Sequence, residues 1–363
     1  MIAGYFSPMP PAATGVADYS AALLPHLHAL GQIELNQSGD INIYHVGNNA
    51  LHREIYQRAL AEPGVVVLHD AVLQHFFLGM LDEAAYVEEF VYNYGEWSRS
   101  QAQELWRERA RSGADARYFA YPMLRRILTN ARAVIVHNPA AAEIARAHAP
   151  GARIIEIPHL FVPPQLPDAV DTLRFRQSLG VAPRTLLVGT FGHQRETKRL
   201  AVLLRAFEQA VARGADARLL VSGEFVSETF ASTMESLLRH PNILRTRHLP
   251  EPDFWKHLAA TDLCVNLRYP SAAESSGVAI RMMGIGKAVA FTADPAIARF
   301  PEDACLRIDT GPAEEEMLAS YIVWLSGERE AAAAIGRNAA RHIAREHAPE
   351  RIATAYWEVL NRS

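Results

Sequence analysis

Ten apolar runs of four to seven residues recur along the chain, with longer helix-forming segments between them. No other feature constrains the fold so tightly. They fall at residues 2–6, 41–46, 65–69, 133–137 and 153–157 in the first half, and at 185–191, 218–222, 242–245, 263–267 and 288–291 in the second. A strand with one wet face alternates apolar and polar residues, so a run that is apolar throughout reads as a strand covered on both faces. The segments between them are long enough for the crossover helices that parallel strands need. The pattern predicts an α/β fold with parallel sheets. At 363 residues the chain exceeds what one core ordinarily supports, which predicts two domains. Pro158, Pro163, Pro164 and Pro167 mark the linker, because prolines this dense suit neither a helix nor a central strand. The expected division is 1–163 and 164–348, with 349–363 a final helix carrying Ile352, Tyr356, Trp357 and Leu360 on one face.

Composition narrows the class of function. With a net charge of −4, nothing suggests a general nucleic-acid binder. Cys264 and Cys305 both sit in apolar runs, which reads as buried thiols in a reducing compartment rather than a disulfide. No window approaches the roughly 18 apolar residues of a membrane span, and no basic leader precedes the first run, so a cytoplasmic location is expected. Residues 92–132 interleave Tyr94, Trp97, Trp106, Tyr118, Phe119 and Tyr121 with Arg107, Arg109, Arg111, Arg117, Arg125 and Arg126. The plain reading is helical packing with a solvated basic face. The sharper one is a peripheral surface that touches lipid, or a lipid-linked acceptor, at the inner face of the membrane.

Three strand-to-helix turns carry groups suited to chemistry. The first run leads through Pro8, Pro10, Pro11 and Thr14 to Gly15, which opens an apolar-periodic helix; a glycine there lets a phosphate approach free backbone N–H groups at the positive helix end. This is not the Gly-x-Gly-x-x-Gly fingerprint, and no such fingerprint follows any candidate strand, which argues against a nicotinamide or flavin enzyme. After the run at 185–191 come Gly192, His193, Arg195, Lys198 and Arg199, a basic turn where open α/β sheets collect their ligands. Cations at such a place can absorb the charge that develops on a leaving pyrophosphate; otherwise they are a solvated helix start. The third turn holds Glu274, Ser275, Ser276 and Gly277. There a carboxylate can accept from sugar hydroxyls, or simply favour the helix dipole. No Asp-x-Asp pair or paired-histidine ligand cluster follows a strand, so no metal is expected.

The order of these motifs resembles the family-four retaining glycosyltransferases of GT-B fold, in their bacterial form. The resemblance rests on Pro8-Met9-Pro10-Pro11 with Gly15-Val16-Ala17-Asp18-Tyr19-Ser20, on Val67-Leu68-His69-Asp70, on Phe191-Gly192 with Lys198-Arg199, and on Arg268-Tyr269-Pro270 with Glu274-Ser275-Ser276-Gly277. It covers nearly the whole chain. It implies two facing Rossmann-like domains, acceptor side first and nucleotide-sugar side second, with the last helix returning to the first domain. It further implies a donor diphosphate at Gly15, Gly192, His193 and Ser275–Gly277, with Arg195 and Lys198 supplying cations. His69 would approach the transferred sugar, and Glu274 would match the first glutamate of the family's Glu–seven residues–Glu motif. A hexose would pass from a nucleoside diphosphate to a glycan, lipid-linked or protein acceptor, without cofactor or metal, as in polysaccharide biosynthesis.

Two departures stand out. Where the family carries an arginine directly after the glycine, this chain has His193, which leaves Arg195 to supply the charge. Leaving seven residues after Glu274 gives Met282, and anchoring on Gly286 gives Arg281, so the second glutamate is missing. These departures keep a competing reading open: a catalytically degenerate protein of the same fold that binds a sugar nucleotide or a partner. A sugar-nucleotide epimerase is the third reading, and it would need more carboxylates and histidines than His69, Asp70 and Glu274.

Overall fold

The computed structural model describes residues 1–12 and 14–363. Among the described residues, twelve strands form two sheets, both parallel throughout. The first contains β1 (Ile2–Phe6), β2 (Gln32–Leu35), β3 (Ile41–Val46), β4 (Val65–Leu68), β5 (Ala133–Val136) and β6 (Ile154–Glu156) in the order β2-β1-β3-β4-β5-β6. The second contains β7 (Leu186–Phe191), β8 (Ala217–Ser222), β9 (Ile243–Thr246), β10 (Leu263–Asn266), β11 (Ala288–Thr292) and β12 (Leu306–Ile308) in the order β12-β11-β10-β7-β8-β9. Helices alternate with the strands, as parallel connections require.

The central strands are buried at every position because helices cover both faces, which is why β3, β4, β5, β7, β10 and β11 are apolar almost end to end. The two strands that sequence patterning overlooks, β2 and β12, are both at sheet edges and short. β2 in particular is largely wet, with Gln32 and Leu35 exposed, so no apolar run announces it.

Two compact units result. One comprises Met1–Val162, Pro270–Gly277 and Glu346–Ser363; the other comprises Pro163–Tyr269 and Val278–Arg345. Each sheet brings its own core. In the first unit, the helix Gly15–His28 and the last helix, Pro349–Asn361, close over one face of the sheet, with Leu23, Leu27, Ile352, Tyr356 and Trp357 packed on β1, β3, β4 and β5. Two polar tips fix this returning helix: the Tyr19 and Tyr356 hydroxyls lie 2.7 Å apart, and Trp357 Nε1 donates to the Leu27 carbonyl at 2.9 Å. In the second unit, Asp262 accepts from the Leu187 N–H at 2.8 Å, from Arg176 at 2.9 Å and from Arg329 at 2.5 Å, tying the start of β10 to β7 and to two helices.

Candidate functional site

In the first unit, the groups of interest gather where strands end. A histidine stands near the carboxyl end of four adjacent strands: His45 in β3, His69 after β4, His137 after β5 and His159 beyond β6. Parallel pairing brings these ends to one edge, and Tyr19, from the first helix, sits among them. The Tyr19 ring centroid is 5.1 Å from His69, 5.2 Å from His137 and 4.7 Å from His159. His69 is 5.2 Å from His45 and 5.0 Å from His137, ring to ring. Tyr19, His45 and His137 are buried, while His69 and His159 are half-buried.

Backbone carbonyls decide most of the tautomers. A carbonyl only accepts, so Nδ1 of His52, facing the His45 oxygen at 2.9 Å, must carry the proton. The same holds for His137 on the Ile157 oxygen at 3.0 Å and His159 on the Leu160 oxygen at 2.8 Å. Burial is the first cause that holds His45, His52, His69 and His137 below the ordinary imidazole range, with neighbouring histidines adding to it for His45 and His69. His137 is pushed down to about 4. These are neutral rings at pH 7. Among the described residues, no three His, Cys, Asp or Glu side chains are arranged to hold a metal ion.

The loop carrying Glu274 packs with this first unit, although it follows a strand of the second. Two backbone stitches hold it. The Ala71 N–H, two residues beyond His69, donates to the Ala272 carbonyl at 2.7 Å. The Asn138 amide, one residue beyond His137, donates to the Ala273 carbonyl at 2.7 Å and to Ser275 Oγ at 3.1 Å. Ala273 takes a left-handed φ of 55°, and Glu274 braces that turn by accepting from the Ala272 N–H at 2.9 Å and from the Ser271 hydroxyl at 3.3 Å. His69 and residues 274–277 are thus brought to one place. Gly277 opens the helix Gly277–Gly284, and a Cβ built on it would lie 3.6 Å from His159 Nε2. Gly15 begins its helix behind the Thr14 cap, and a Cβ there would meet nothing within 4 Å.

The second unit holds Gly192, His193, Arg195 and Lys198 in the turn after β7. Gly192 has φ 83°, the left-handed region that favours glycine. Lys198 Nζ donates to the Phe191 carbonyl at 2.5 Å, which folds the ammonium group back over the turn, and a Cβ on Gly192 would sit 3.2 Å from it. Fully buried Gln194 fastens the turn from beneath through Nε2, which donates to the Gly192 carbonyl at 2.9 Å and the Ser222 carbonyl at 3.1 Å. His193 and Arg195 are exposed. Partial burial, then the charges of Lys198 and Arg195, hold the His193 imidazole below its usual range. Arg199 is not part of this cationic group. With φ 56° it turns to pair with buried Glu314.

The missing second glutamate has a structural counterpart. Met282 is fully buried in the core, while Arg281 lies with its guanidinium 5.8 Å from the Phe254 and Trp255 rings. The basic aromatic stretch also resolves differently from a lipid-facing surface. Arg117 pairs with Glu104, Glu108 and Asp115, and Arg126 pairs with Glu89 while covering the Tyr92 ring. Arg109 stacks on Trp106, and Tyr118 is fully buried with its hydroxyl on the Leu105 carbonyl. Paired charge of this kind lends no support to membrane contact, although Trp97 is 77% exposed. No helix among the described residues is long and apolar enough to cross a membrane.

Four groups escape motif reading: His45, His137, His159 and Gln194. A signal for the histidines was present, since each stands at or just beyond an apolar run. No protein-family model and no curated protein matches the chain. Solved structures do. Anabaena HepE in complex with UDP-glucose is similar over 100% of both chains, at 15% identity and a TM-score of 0.66. Sucrose-phosphate synthase from Thermosynechococcus elongatus matches 99% of this chain and 98% of its own, at 15% identity and a TM-score of 0.66. WaaG, a glycosyltransferase involved in lipopolysaccharide biosynthesis, matches 98% and 99%, at 16% identity and a TM-score of 0.62. At these identities the likeness establishes architecture, and the chain has the GT-B fold of two Rossmann-like units.

Proposed function

We propose that this chain is a glycosyltransferase related to the family-four retaining enzymes, moving a hexose from a nucleoside diphosphate to a carbohydrate, lipid-linked or protein acceptor. The observation that carries the reading is the turn after β7, where Lys198 Nζ is folded back to 2.5 Å from the Phe191 carbonyl beside left-handed Gly192. A diphosphate placed there would meet an ammonium already held by the backbone, with the exposed Arg195 guanidinium close in sequence. Fixed positive groups can stabilise the departing diphosphate with no reorganisation as the sugar bond breaks, and a metal is then unnecessary. The full-length likeness to proteins such as HepE with UDP-glucose points to the same substrate class and makes UDP-glucose the first donor to test. Gly15, with open space beside its Cα at a helix start, suits the approach of a phosphate. His69 would face the transferred sugar, and Glu274 with Ser275, Ser276 and Gly277 would line the donor side of the loop stitched beneath it.

A panel of UDP, GDP, dTDP and ADP, each with and without its sugar, tests this by thermal shift and by transfer or hydrolysis. A nucleotide at 100 times its dissociation constant stabilises the fold by about 2.7 kcal/mol. No stabilisation by any of them would end the proposal. Binding without turnover would favour the degenerate sugar-nucleotide-binding protein. That reading has its own support: Glu274 already braces its loop, and no carboxylate stands at 281 or 282.

A further inference from the structure

His45 Nδ1 and His69 Nε2 lie 2.9 Å apart, and which of them holds the proton decides what His69 can offer a substrate. Two neutral arrangements are available. If His69 Nε2 donates, His45 must carry its own proton on Nε2, which is buried without a partner among the described residues. That would leave an orphan N–H inside a fully buried side chain. If His45 Nδ1 donates, the same Nε2 is only an unfilled acceptor. Buried orphan donors are the rarer of the two in folded proteins. Nearby histidines behave alike: His52 and His137 keep the proton on Nδ1 against a carbonyl, and each leaves Nε2 as a buried acceptor.

The His45 ring has little freedom to choose otherwise. His52 donates to its backbone carbonyl, and Tyr5 packs on its ring at 4.7 Å between centroids. We infer that His45 is a positioning residue that fixes the proton of His69 on Nδ1, so that His69 meets the transferred sugar as a hydrogen-bond donor and not as a base. This rests on the proposed role of His69 at the donor sugar, but the proton's position can be read without any activity. It also assigns deprotonation of the acceptor away from His69: with Nε2 occupied by His45 and Nδ1 protonated, the neutral ring has no free lone pair with which to take a proton.

The test uses the full chain labelled with 15N-histidine. Long-range 1H–15N spectra separate the two neutral tautomers, and the His69 signal is the one lost in His69→Gln. The expected result is the Nδ1–H form of His69 in the parent and in His45→Asn, whose amide nitrogen stands where Nδ1 was and can still donate. His45→Asp, whose carboxylate oxygen stands where Nδ1 was and can only accept, should draw the His69 proton to Nε2 and lower kcat by about tenfold, the scale of one hydrogen bond. The Asn variant should recover most of that loss. An Nε2–H His69 in the parent, which needs no variant to fold, overturns the inference, as does an unchanged Nδ1–H form in a folded Asp variant. If the tautomers behave as expected but no donor is turned over, the positioning stands and the glycosyltransferase reading is what fails.

Discussion

Lys198 and Glu274 show how differently two charged side chains can be committed. Lys198 donates to the Phe191 carbonyl and is half-buried beside Gly192. Lys198→Ala should therefore leave the fold intact and lower turnover roughly 100-fold or more, the scale seen when a preorganised charge-stabilising group is lost. A steady-state rate within a few-fold of the parent would remove Lys198 from the site. Glu274 has a local task as well, since its carboxylate accepts from the Ala272 N–H and the Ser271 hydroxyl. In Glu274→Gln the amide oxygen can still accept the Ala272 N–H, so the stability cost should stay within about 1 kcal/mol. Transfer should nonetheless fall by about tenfold if the anion also meets sugar hydroxyls. A variant that melts earlier but transfers at the parental rate would reduce Glu274 to a loop brace.

At the scale of elements, the turn after β7 depends on its neighbour after β8. Gly223 has φ 125°, and a Cβ on it would lie 2.3 Å from the Gly192 carbonyl oxygen. Gly223→Ala should thus cost about 1–3 kcal/mol in denaturant melts and weaken nucleotide binding, because it displaces the Gly192 turn without touching a charged group. Parental affinity in calorimetric titration would separate the two loops. The same region shows what was legible in the sequence. The central strands announced themselves because strands buried on both faces must be apolar throughout, and the half-buried edge strands β6 and β9 kept enough apolar residues to be read; β2 did not because it is largely wet, and β12 because three residues make too short a run. Gly192 and Lys198 were legible from spacing after a strand. Gln194 was not, because nothing local in a glutamine reveals that its amide will bridge the Gly192 and Ser222 carbonyls. The brace by Glu274 was equally invisible, since it depends on the left-handed turn at Ala273.

At the scale of the whole chain, the two units differ in what acid should do to them. The first unit holds His45, His52, His69 and His137 as neutral rings, all with pKa values held down chiefly by desolvation. In the unfolded chain each returns to about 6.5. Below that pH the unfolded state binds protons that the folded state refuses, so stability is complete above about pH 7 and is lost as pH falls toward the depressed folded values. Each such histidine contributes a slope of at most about 1.4 kcal/mol per pH unit within that window. For His137 the window closes near its folded value of about 4. The first unit also contains the chain's last helix, so its core is built from both ends of the sequence and should respond as one body. Urea unfolding followed at pH 7, 6 and 5, before most carboxylates titrate, should show the transition of the first unit moving steadily to lower denaturant. Trp97, Trp106 and Trp357 belong to that unit and Trp255 and Trp324 to the other, so variants with Trp255 and Trp324 replaced by Phe report the first transition by fluorescence. His137→Gln should flatten the pH slope while lowering stability at pH 7, since it removes the hydrogen bond to the Ile157 carbonyl. A first-unit midpoint that stays fixed between pH 7 and 5 would mean that these rings accept protons in the folded state, and that the neutral histidine cluster is not how the unit exists in solution.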